Sequence, residues 1–471
     1  MLIYFEAERF MKPSLEGSLI SRIFEDAGSK KIRSNPKQVY ALVISTLKYT
    51  DYLKEIIKKS GILKQGGNSK SKIPKKLTKD LLILLVHDLL FTKQGRIQSA
   101  KHPIKDFVLA NKTRLNSEFI KLKLKYKVKS ITEFPVNQDQ ENNSDYNEDS
   151  TPVRWFRINT IKVKAESVLK KDPFFKNLKQ VHTIEDLFNC LGNIYHDEYI
   201  PNLFGINPRE KITNTNVYKS GKIILQDRSS CFPAYILNPK ADEDVIIDAC
   251  AAPGNKTSHL AMLIDNKTNG IIAFEKNEKR GEILKKMINK AGAKDCVNVK
   301  IGDFTRCKKN DYQNVTKMII DPSCSGSGIF RRAVDDMILQ KNNIEEELSL
   351  KKKIDIGRIE KLSSFQFSIV KFGLLFPNVK KVVYSTCSIH PEENEQVVID
   401  LLNDFEIKSK NWRLCSKDEV IPQWKRRGWK KEFIKKGYSI QDSEDLAAGC
   451  VRSLPKLDGG IGFFAASFIR E

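Results

Sequence analysis

The sequence predicts an α/β protein in which a doubly wound, mostly parallel sheet follows an α-helical region. From about residue 242 onward, apolar segments such as "DVIIDA" and "GIIAFE" alternate with helical segments such as "KRGEILKKMINKAG". Further upstream, Pro36 suits the first turn of a helix, and Val39, Leu42 and Val43 then fall on one face. Strands that alternate with helices form parallel sheets, and such sheets bind ligands at the carboxyl ends of their strands.

Changes in composition along the chain predict four parts. Residues 1–135 are basic and helical, with Thr78 as the cap of an apolar helix, "KDLLILLVHDLLF". Residues 136–150, "VNQDQENNSDYNEDS", are acidic and almost without apolar side chains, which is typical of a disordered linker. Residues 151–235 form a small mixed α/β segment, which ends in the strand and helix of "GKIILQDRSSCFPAYIL". Residues 236–471 then carry the doubly wound sheet.

The composition indicates an intracellular protein with a polyanionic partner. Nine cysteines in 471 residues show no dense disulfide framework, and "MLIYFEAERF" lacks the apolar core of an export signal. The longest apolar run, "LLILLV", is too short to cross a bilayer, so we expect no membrane segment. Lys+Arg 81 against Asp+Glu 58 gives a formal net charge of +23, which favours RNA as a partner.

Two stretches concentrate this positive charge. As an extended strand, "KLKLKYKVKS" at 121–130 would place five lysines on one face. The stretch "QWKRRGWKKEFIKK" at 423–436 interleaves cations with aromatic residues. Trp424, Trp429 and Phe433 would there offer rings to stacked bases. An ordinary solvated face is the alternative for both stretches.

The loop "CAAPGNKT", which follows the strand "DVIIDA", predicts a cofactor site. It has one glycine, Gly254, where the dinucleotide fingerprint has three, so a cofactor without phosphates fits better than a nicotinamide dinucleotide. Glu275 ends the next strand, where an acid can accept hydrogen bonds from ribose hydroxyls. Asp303, at the end of the third strand, could accept a hydrogen bond from the adenine amino group. Solvent-facing loop acids are the alternative for both residues.

Two cysteines lie where buried strands open into loops, Cys324 in "DPSCSGSG" and Cys387 in "VVYSTCSIHPEENE". A disulfide between them would suit an exported protein, and a zinc site would require CxxC-type spacing, which neither segment offers. Buried structural thiols are the third alternative. Flanking Ser, Thr and Gly residues favour reactive thiols in loops instead.

The motifs "DACAAPGNKT", "DPSCSGSG" and "YSTCS" together resemble those of the Nop/Sun (RsmB-like) family of RNA (cytosine-5) methyltransferases. The resemblance runs through most of residues 151–471, including "RINTIK", "LQDRSS" and "GFFAASFIR". Many relatives have a second glycine at the position of Asn255. In having asparagine there, the sequence resembles the Rcm-type branch, which modifies large-subunit ribosomal RNA. The resemblance implies a Rossmann-like methyltransferase domain that uses S-adenosyl-L-methionine.

The family pattern implies roles for the two cysteines, and the chemistry of the reaction adds Asp321 and Lys256 as candidates. Carbon 5 of cytosine is a poor nucleophile, and it becomes reactive when a thiolate adds to carbon 6. By the pattern, Cys387 is the attacking thiol and Cys324 assists its later release. Asp321 would hold the N3 and amino edge of the base and supply a proton at N3. Lys256 would supply the cationic neighbourhood that a thiolate needs.

The remaining expectations concern the ligand set and the partners. The candidate cofactor-binding residues are Cys250, Ala251, Ala252, Pro253, Gly254, Asn255, Lys256, Glu275, Arg280, Asp303 and Asp321. The target base must be single-stranded or flipped out, which gives residues 1–135 and 151–235 the task of holding RNA. We expect a monomer that uses no metal and acts on ribosomal RNA in the nucleolus of the nucleus. A transfer RNA methyltransferase, an inactive RNA-binding assembly factor and a nicotinamide dehydrogenase are the alternatives.

Overall fold

The computed structural model describes most of the chain. The described residues are 1–11, 19–63, 73–92, 94–128, 130–134, 151–188, 190–329, 345–455 and 457–470. The acidic stretch at 136–150, predicted to be a linker, lies outside them. The chain divides into two units, one of residues 1–146 with 334–354 and one of residues 147–333 with 355–471.

The first unit is helical, as the sequence predicts. Its helices are α1 (Leu2–Glu8), α2 (Leu19–Gly28), α3 (Pro36–Lys48), α4 (Thr50–Ser60), α5 (Lys79–Leu90), α6 (Pro103–Ala110) and α7 (Lys112–Lys125). Thr78 caps α5 by accepting a hydrogen bond from the Leu81 N–H at 3.1 Å. Every residue of α5 from Leu81 to Leu90 is buried, so this helix forms the centre of the helical core.

One of the basic stretches departs from its predicted geometry. Residues 121–125 of "KLKLKYKVKS" continue helix α7, so the extended strand with five lysines on one face is a wrong prediction. Alternation of lysine with apolar residues is compatible with a helix here because Leu122 is buried while Leu124 is exposed. The Lys121 ammonium lies 2.7 Å from a Glu118 carboxylate oxygen. The Lys125 ammonium lies 3.2 Å from a carboxylate oxygen of Glu55 on α4, so these two lysines do not share one face with a common partner.

The second unit contains two sheets. Its strands are β1 (Arg154–Ile158), β2 (Lys179–Val181), β3 (Asn193–His196), β4 (Leu203–Ile206), β5 (Ile223–Leu225), β6 (Ile246–Asp248), β7 (Ile271–Glu275), β8 (Val297–Ile301), β9 (Lys317–Ile320), β10 (Lys381–Thr386), β11 (Arg413–Leu414), β12 (Cys450–Ser453) and β13 (Phe463–Ile469). The first sheet has the order β2-β3-β4-β1-β5. The second has the order β11-β13-β10-β9-β6-β7-β8, with β12 paired to β13.

The helices of this unit connect and flank the strands. They are α8 (Ala165–Lys171), α9 (Asn216–Lys219), α10 (Arg228–Leu237), α11 (Asn255–Leu263), α12 (Glu278–Ala291), α13 (Glu345–Leu374, of which residues 355–374 belong to this unit), α14 (Glu395–Asn403), α15 (Phe405–Ser409), α16 (Lys430–Lys435) and α17 (Ile440–Ala448). Strands β10, β9, β6, β7 and β8 pair in parallel, whereas β11, β12 and β13 are antiparallel. The predicted doubly wound, mostly parallel sheet is confirmed.

The second basic stretch, 423–436, is not a platform for stacked bases as predicted. Trp424 is 4% exposed and Phe433 is fully buried, because both rings fill the core of the second unit. Trp429 lies against the Arg452 guanidinium, 3.8 Å from the ring centroid. Arg452 and Glu395 in turn form a fully buried ion pair. Trp424 and Phe433 therefore stabilise the fold, Trp429 is half-buried, and exposed lysines lie between these rings.

None of the helices in the described ranges combines the length and the apolar content that a membrane crossing requires.

Candidate functional site

The candidate site lies at the carboxyl edge of the second sheet. Because β6, β7, β8, β9 and β10 run parallel, the loops that follow them leave the sheet at the same edge. The chain order reverses between β6 and β9, which are neighbours although two strands separate them in sequence. Such a reversal opens a crevice in which open α/β sheets bind ligands. The sequence places its cofactor loop after β6 and its cysteine loops after β9 and β10.

The two cysteines predicted to be reactive face each other across neighbouring loops. Cys324 Sγ and Cys387 Sγ lie 3.1 Å apart, within hydrogen-bond distance for sulfur, and neither is part of a disulfide. Both side chains are partly exposed, which argues against the role of core filler. The arrangement places one thiol where it can donate a hydrogen bond to the other sulfur.

Backbone and hydroxyl contacts hold these two loops together. The Gly328 N–H donates to the Cys387 carbonyl oxygen at 2.9 Å. Gly328 must be glycine, since a Cβ there would collide with the Gly462 carbonyl oxygen. Three hydroxyls join the loops as well: Ser388 Oγ lies 3.2 Å from Ser325 Oγ and 3.1 Å from Ser327 Oγ. The sulfur–sulfur distance is therefore fixed by contacts on several sides.

A lysine and an aspartate form the polar wall beside the thiols. Lys256 Nζ donates to Asp321 Oδ2 at 2.7 Å, and Ser385 Oγ donates to Asp321 Oδ1 at 2.6 Å. Burial alone would lower the pKa of Lys256, but the Asp321 carboxylate and then Cys387 outweigh it and raise that pKa. Lys256 therefore stays an ammonium ion within reach of the charge on Cys387.

The environment of Cys324 differs from that of a reactive thiol. Its hydrogen bond with Cys387, its burial and the charges of Cys387, Glu393 and Asp321 together raise the pKa of Cys324 well above its usual value. Cys324 is therefore held as a thiol, which can donate a hydrogen bond to the Cys387 sulfur.

The loop after β6 is shaped by small residues and by Arg280. Ala251 and Ala252 are buried, and Gly254, which directly precedes α11, has a φ of 109°, a backbone conformation that favours glycine. The Ala252 carbonyl oxygen accepts a hydrogen bond from Arg280 Nη2 at 2.8 Å. Burial raises the pKa of the Cys250 thiol well above its usual value, so this third thiol is not ionised.

Two carboxylates end the next strands in the sheet. Glu275 at the end of β7 is 5% exposed and accepts the Asn277 N–H at 2.9 Å, with Arg280 3.7 Å from its other oxygen. Asp303 follows β8, where hydrogen bonds from Lys276 and Thr305 lower its pKa to about 2. Both side chains thus lie along the edge at which the cofactor loop is found. Glu275 retains unused acceptor capacity.

The predicted residues therefore fall into two groups within one edge of the sheet. Cys324, Cys387, Lys256 and Asp321 form the group at the ends of β9 and β10, with Lys256 reaching it from α11. The second group comprises Cys250, Ala251, Ala252, Pro253, Gly254, Asn255, Glu275, Arg280 and Asp303. Among the described residues, no cluster of three or more His, Cys, Asp or Glu side chains is arranged to hold a metal ion.

Sequence reasoning missed several polar residues of the site. Ser385 binds Asp321, and the buried Glu393 accepts the Ser325 N–H at 2.8 Å and Gln366 Nε2 at 3.0 Å. Ser385 and Glu393 flank Cys387 in the sequence, so the stretch "YSTCSIHPEENE" contained a signal for both. Gln366 lies on α13, 21 residues from Cys387 in the chain (387 − 366), and only the fold brings it close.

Three family models match the chain. The model of the 16S rRNA methyltransferase RsmB/F matches residues 234–469. Models of the N-terminal and ferredoxin-like domains of the NOL1/NOP2/Sun domain family member 5 match residues 37–134 and 152–226.

Two similar proteins span almost the whole chain. The 25S rRNA (cytosine-C(5))-methyltransferase rcm1 of Schizosaccharomyces pombe is 41% identical over 92% of this chain and 85% of that protein. A 28S rRNA (cytosine-C(5))-methyltransferase of Mus musculus is 32% identical over 97% of this chain and 87% of that protein. The solved structure of PH0851 covers 95% of this chain and 93% of its own, with 19% identity and a TM-score of 0.55, and supports the fold.

Proposed function

The chain belongs to the family of the 16S rRNA methyltransferase RsmB/F, and from this premise we propose that it methylates carbon 5 of a cytosine in large-subunit ribosomal RNA. One observation carries the proposal: two reduced thiols lie 3.1 Å apart at the ends of adjacent parallel strands. A lysine–aspartate pair lies beside them. Covalent activation of a pyrimidine needs a thiolate, a proton donor for the ring and a means of release, and these four side chains supply all three.

The residues after β6, β7 and β8 fit S-adenosyl-L-methionine. When bound, this cofactor supplies an electrophilic methyl group on a sulfonium sulfur. Glu275 has an oxygen with acceptor capacity for ribose hydroxyls, and the ionised Asp303 can accept from the adenine amino group. The buried Ala251 and Ala252 leave room beside the backbone, and no positively charged cradle for a pyrophosphate is required.

Cys387 begins the reaction as the nucleophile. Its sulfur adds to carbon 6 of cytosine, and the electrons of the C5=C6 bond move toward N3 through carbon 4. Lys256 and the Cys324 S–H both favour the thiolate form of Cys387, because each places a donor or a positive charge near that sulfur. The thiol at Cys324 remains in place as the donor partner.

Asp321 transfers a proton to N3 of the cytosine and later takes it back. Asp321 passes the proton that Cys387 loses on ionisation to N3 as the adduct forms, which makes carbon 5 nucleophilic, and Lys256 stays an ammonium ion beside it. Ser385 fixes the other carboxylate oxygen, so the edge that faces the base is held in one orientation. Carbon 5 then takes the methyl group, and the same carboxylate receives the N3 proton back when the product is released.

Release depends on Cys324. The methylated adduct loses its carbon-5 proton to water, and the electrons of that C–H bond form the C5=C6 bond. The C6–S bond breaks at the same time, and its electrons stay on the Cys387 sulfur. Cys324 donates a hydrogen bond to this departing thiolate across the 3.1 Å separation, which restores the resting pair.

The helical region 1–135 and the segment 151–235 hold the RNA. In α4, Lys54 and Lys58 are exposed, lie one turn apart and have no ion pair with any described residue. We expect their replacement by glutamine to weaken RNA binding. The slope of log affinity against log salt concentration should become shallower by about 0.7 for each phosphate that is no longer neutralised. The same two-charge change at the exposed Lys408 and Lys410 is the control. An unchanged slope in the α4 variant would reject this role.

Such an enzyme acts as a monomer on pre-ribosomal RNA in the nucleolus. Transfer RNA is the alternative substrate, and sequencing separates the two. We expect bisulfite sequencing of total RNA, from cells with and without the gene, to show one protected cytosine in large-subunit RNA that disappears in the deletion. If the deletion instead removes a protected cytosine from transfer RNA, the substrate is transfer RNA. If no protected cytosine is lost from any RNA, the protein binds RNA without methylating it.

A further inference from the structure

A buried carboxylate lies behind the second thiol. Glu393 belongs to the 3-10 turn Pro391–Glu393, six residues past Cys387 (393 − 387), and is fully buried. Its Oε1 accepts hydrogen bonds from the Ser325 N–H at 2.8 Å and from Gln366 Nε2 at 3.0 Å. Its Oε2 is buried and has no hydrogen-bond partner among the described residues. A buried carboxylate that is only half satisfied is costly, and its presence needs an explanation.

The side-chain contacts of Glu393 lead to the loop that carries Cys324. The Ser325 N–H follows Cys324 directly, and Gln366 Nε2 also donates to the Ser323 carbonyl oxygen at 3.1 Å. Tyr384 OH donates to the Glu393 carbonyl oxygen at 2.5 Å, so the turn is itself held from strand β10. The main chain on both sides of Cys324 is thus attached, directly or through Gln366, to one carboxylate.

Resting on the proposed function, we propose that Glu393 is a positioning residue for the second thiol. It anchors the Cys324 loop, and its negative charge keeps Cys324 as the donor to the leaving Cys387 sulfur. Glu393 touches neither RNA nor cofactor in this role.

Electrostatics at Cys324 support the second half of the proposal. The hydrogen bond with Cys387 and burial are the largest causes that raise the pKa of Cys324, followed by the charges of Cys387, Glu393 and Asp321. The cation of this group, Lys256, is paired with Asp321, and the Tyr384 hydroxyl is neutral because burial raises its pKa well above the usual value. Loss of the Glu393 charge should therefore lower the pKa of Cys324.

The experiment compares wild type, E393Q and E392Q, because Glu392 is the neighbouring carboxylate of the same turn. Protein in excess over target RNA is mixed with cofactor, and the covalent adduct is followed on denaturing gels from neutral to alkaline pH. In E393Q we expect normal methyl transfer in the first turnover and, toward alkaline pH, an adduct that decays more slowly than in wild type, because more of Cys324 is then a thiolate that cannot donate. The pH above which release slows should fall in E393Q and stay unchanged in E392Q.

Two results would overturn the proposal. Adduct decay in E393Q at the wild-type rate would remove Glu393 from release, and slower decay with an unshifted pH profile would leave it a purely structural anchor. Thermal melting checks that E393Q is folded; should it unfold, E393D retains the charge and must show the wild-type pH profile. Absence of any adduct or methylation in wild type would instead reject the proposed function.

Discussion

Replacement of Cys387 by alanine is expected to abolish methylation of RNA while leaving cofactor affinity close to that of wild type. The side chain lies in the group formed with Cys324, Lys256 and Asp321, and no other thiol of that group can take its place. Cys324 cannot substitute for it because its surroundings keep the proton on its sulfur. Transfer of a labelled methyl group to large-subunit RNA measures the activity, and calorimetric titration measures cofactor binding.

The matched control for this variant is Cys296→Ala. Cys296 is a buried free cysteine just before β8, at the edge of the sheet opposite the site, so its replacement removes a thiol without touching the mechanism. We expect wild-type turnover from it. Methylation by the Cys387→Ala protein above background would mean that another group attacks carbon 6, and the assignment of the nucleophile would then be wrong. A large loss of cofactor affinity would mean that Cys387 acts in binding.

Local sequence patterns were enough to predict the main sheet and the site edge. Buried strands such as β6, β7 and β10 consist of β-branched and aliphatic residues bounded by small polar turns, so their ends could be read directly. The loops that carry the chemistry begin where these strands end, and a parallel sheet brings such ends to one edge. This is why a single sequence suffices to predict that Cys324 and Cys387 lie near each other.

Features that depend on tertiary packing could not be predicted in this way. Lysine alternation at 121–125 follows a helix because Leu122 packs into the helical core, and the local pattern also suited a strand. Trp424 and Phe433 lie among cations in the sequence, yet the fold buries both rings. The raised pKa of Cys324 arises from its hydrogen bond with Cys387, from burial and from three neighbouring charges, which only the fold brings together.

Replacement of Cys324 by alanine is expected to trap the enzyme on its RNA. The first thiol and the Lys256–Asp321 pair remain, so Cys387 can still attack and the methyl group can still be transferred. The departing sulfur then lacks the donor that lies 3.1 Å away in the wild-type protein, and the C6–S bond breaks slowly. A heat-stable band of shifted mobility should appear on denaturing gels, and the RNA within it should carry the labelled methyl group. The double variant Cys324→Ala/Cys387→Ala should show no such band, because the bond to carbon 6 cannot form. A Cys324→Ala protein that is folded, turns over repeatedly and leaves no band would show that release proceeds without this thiol.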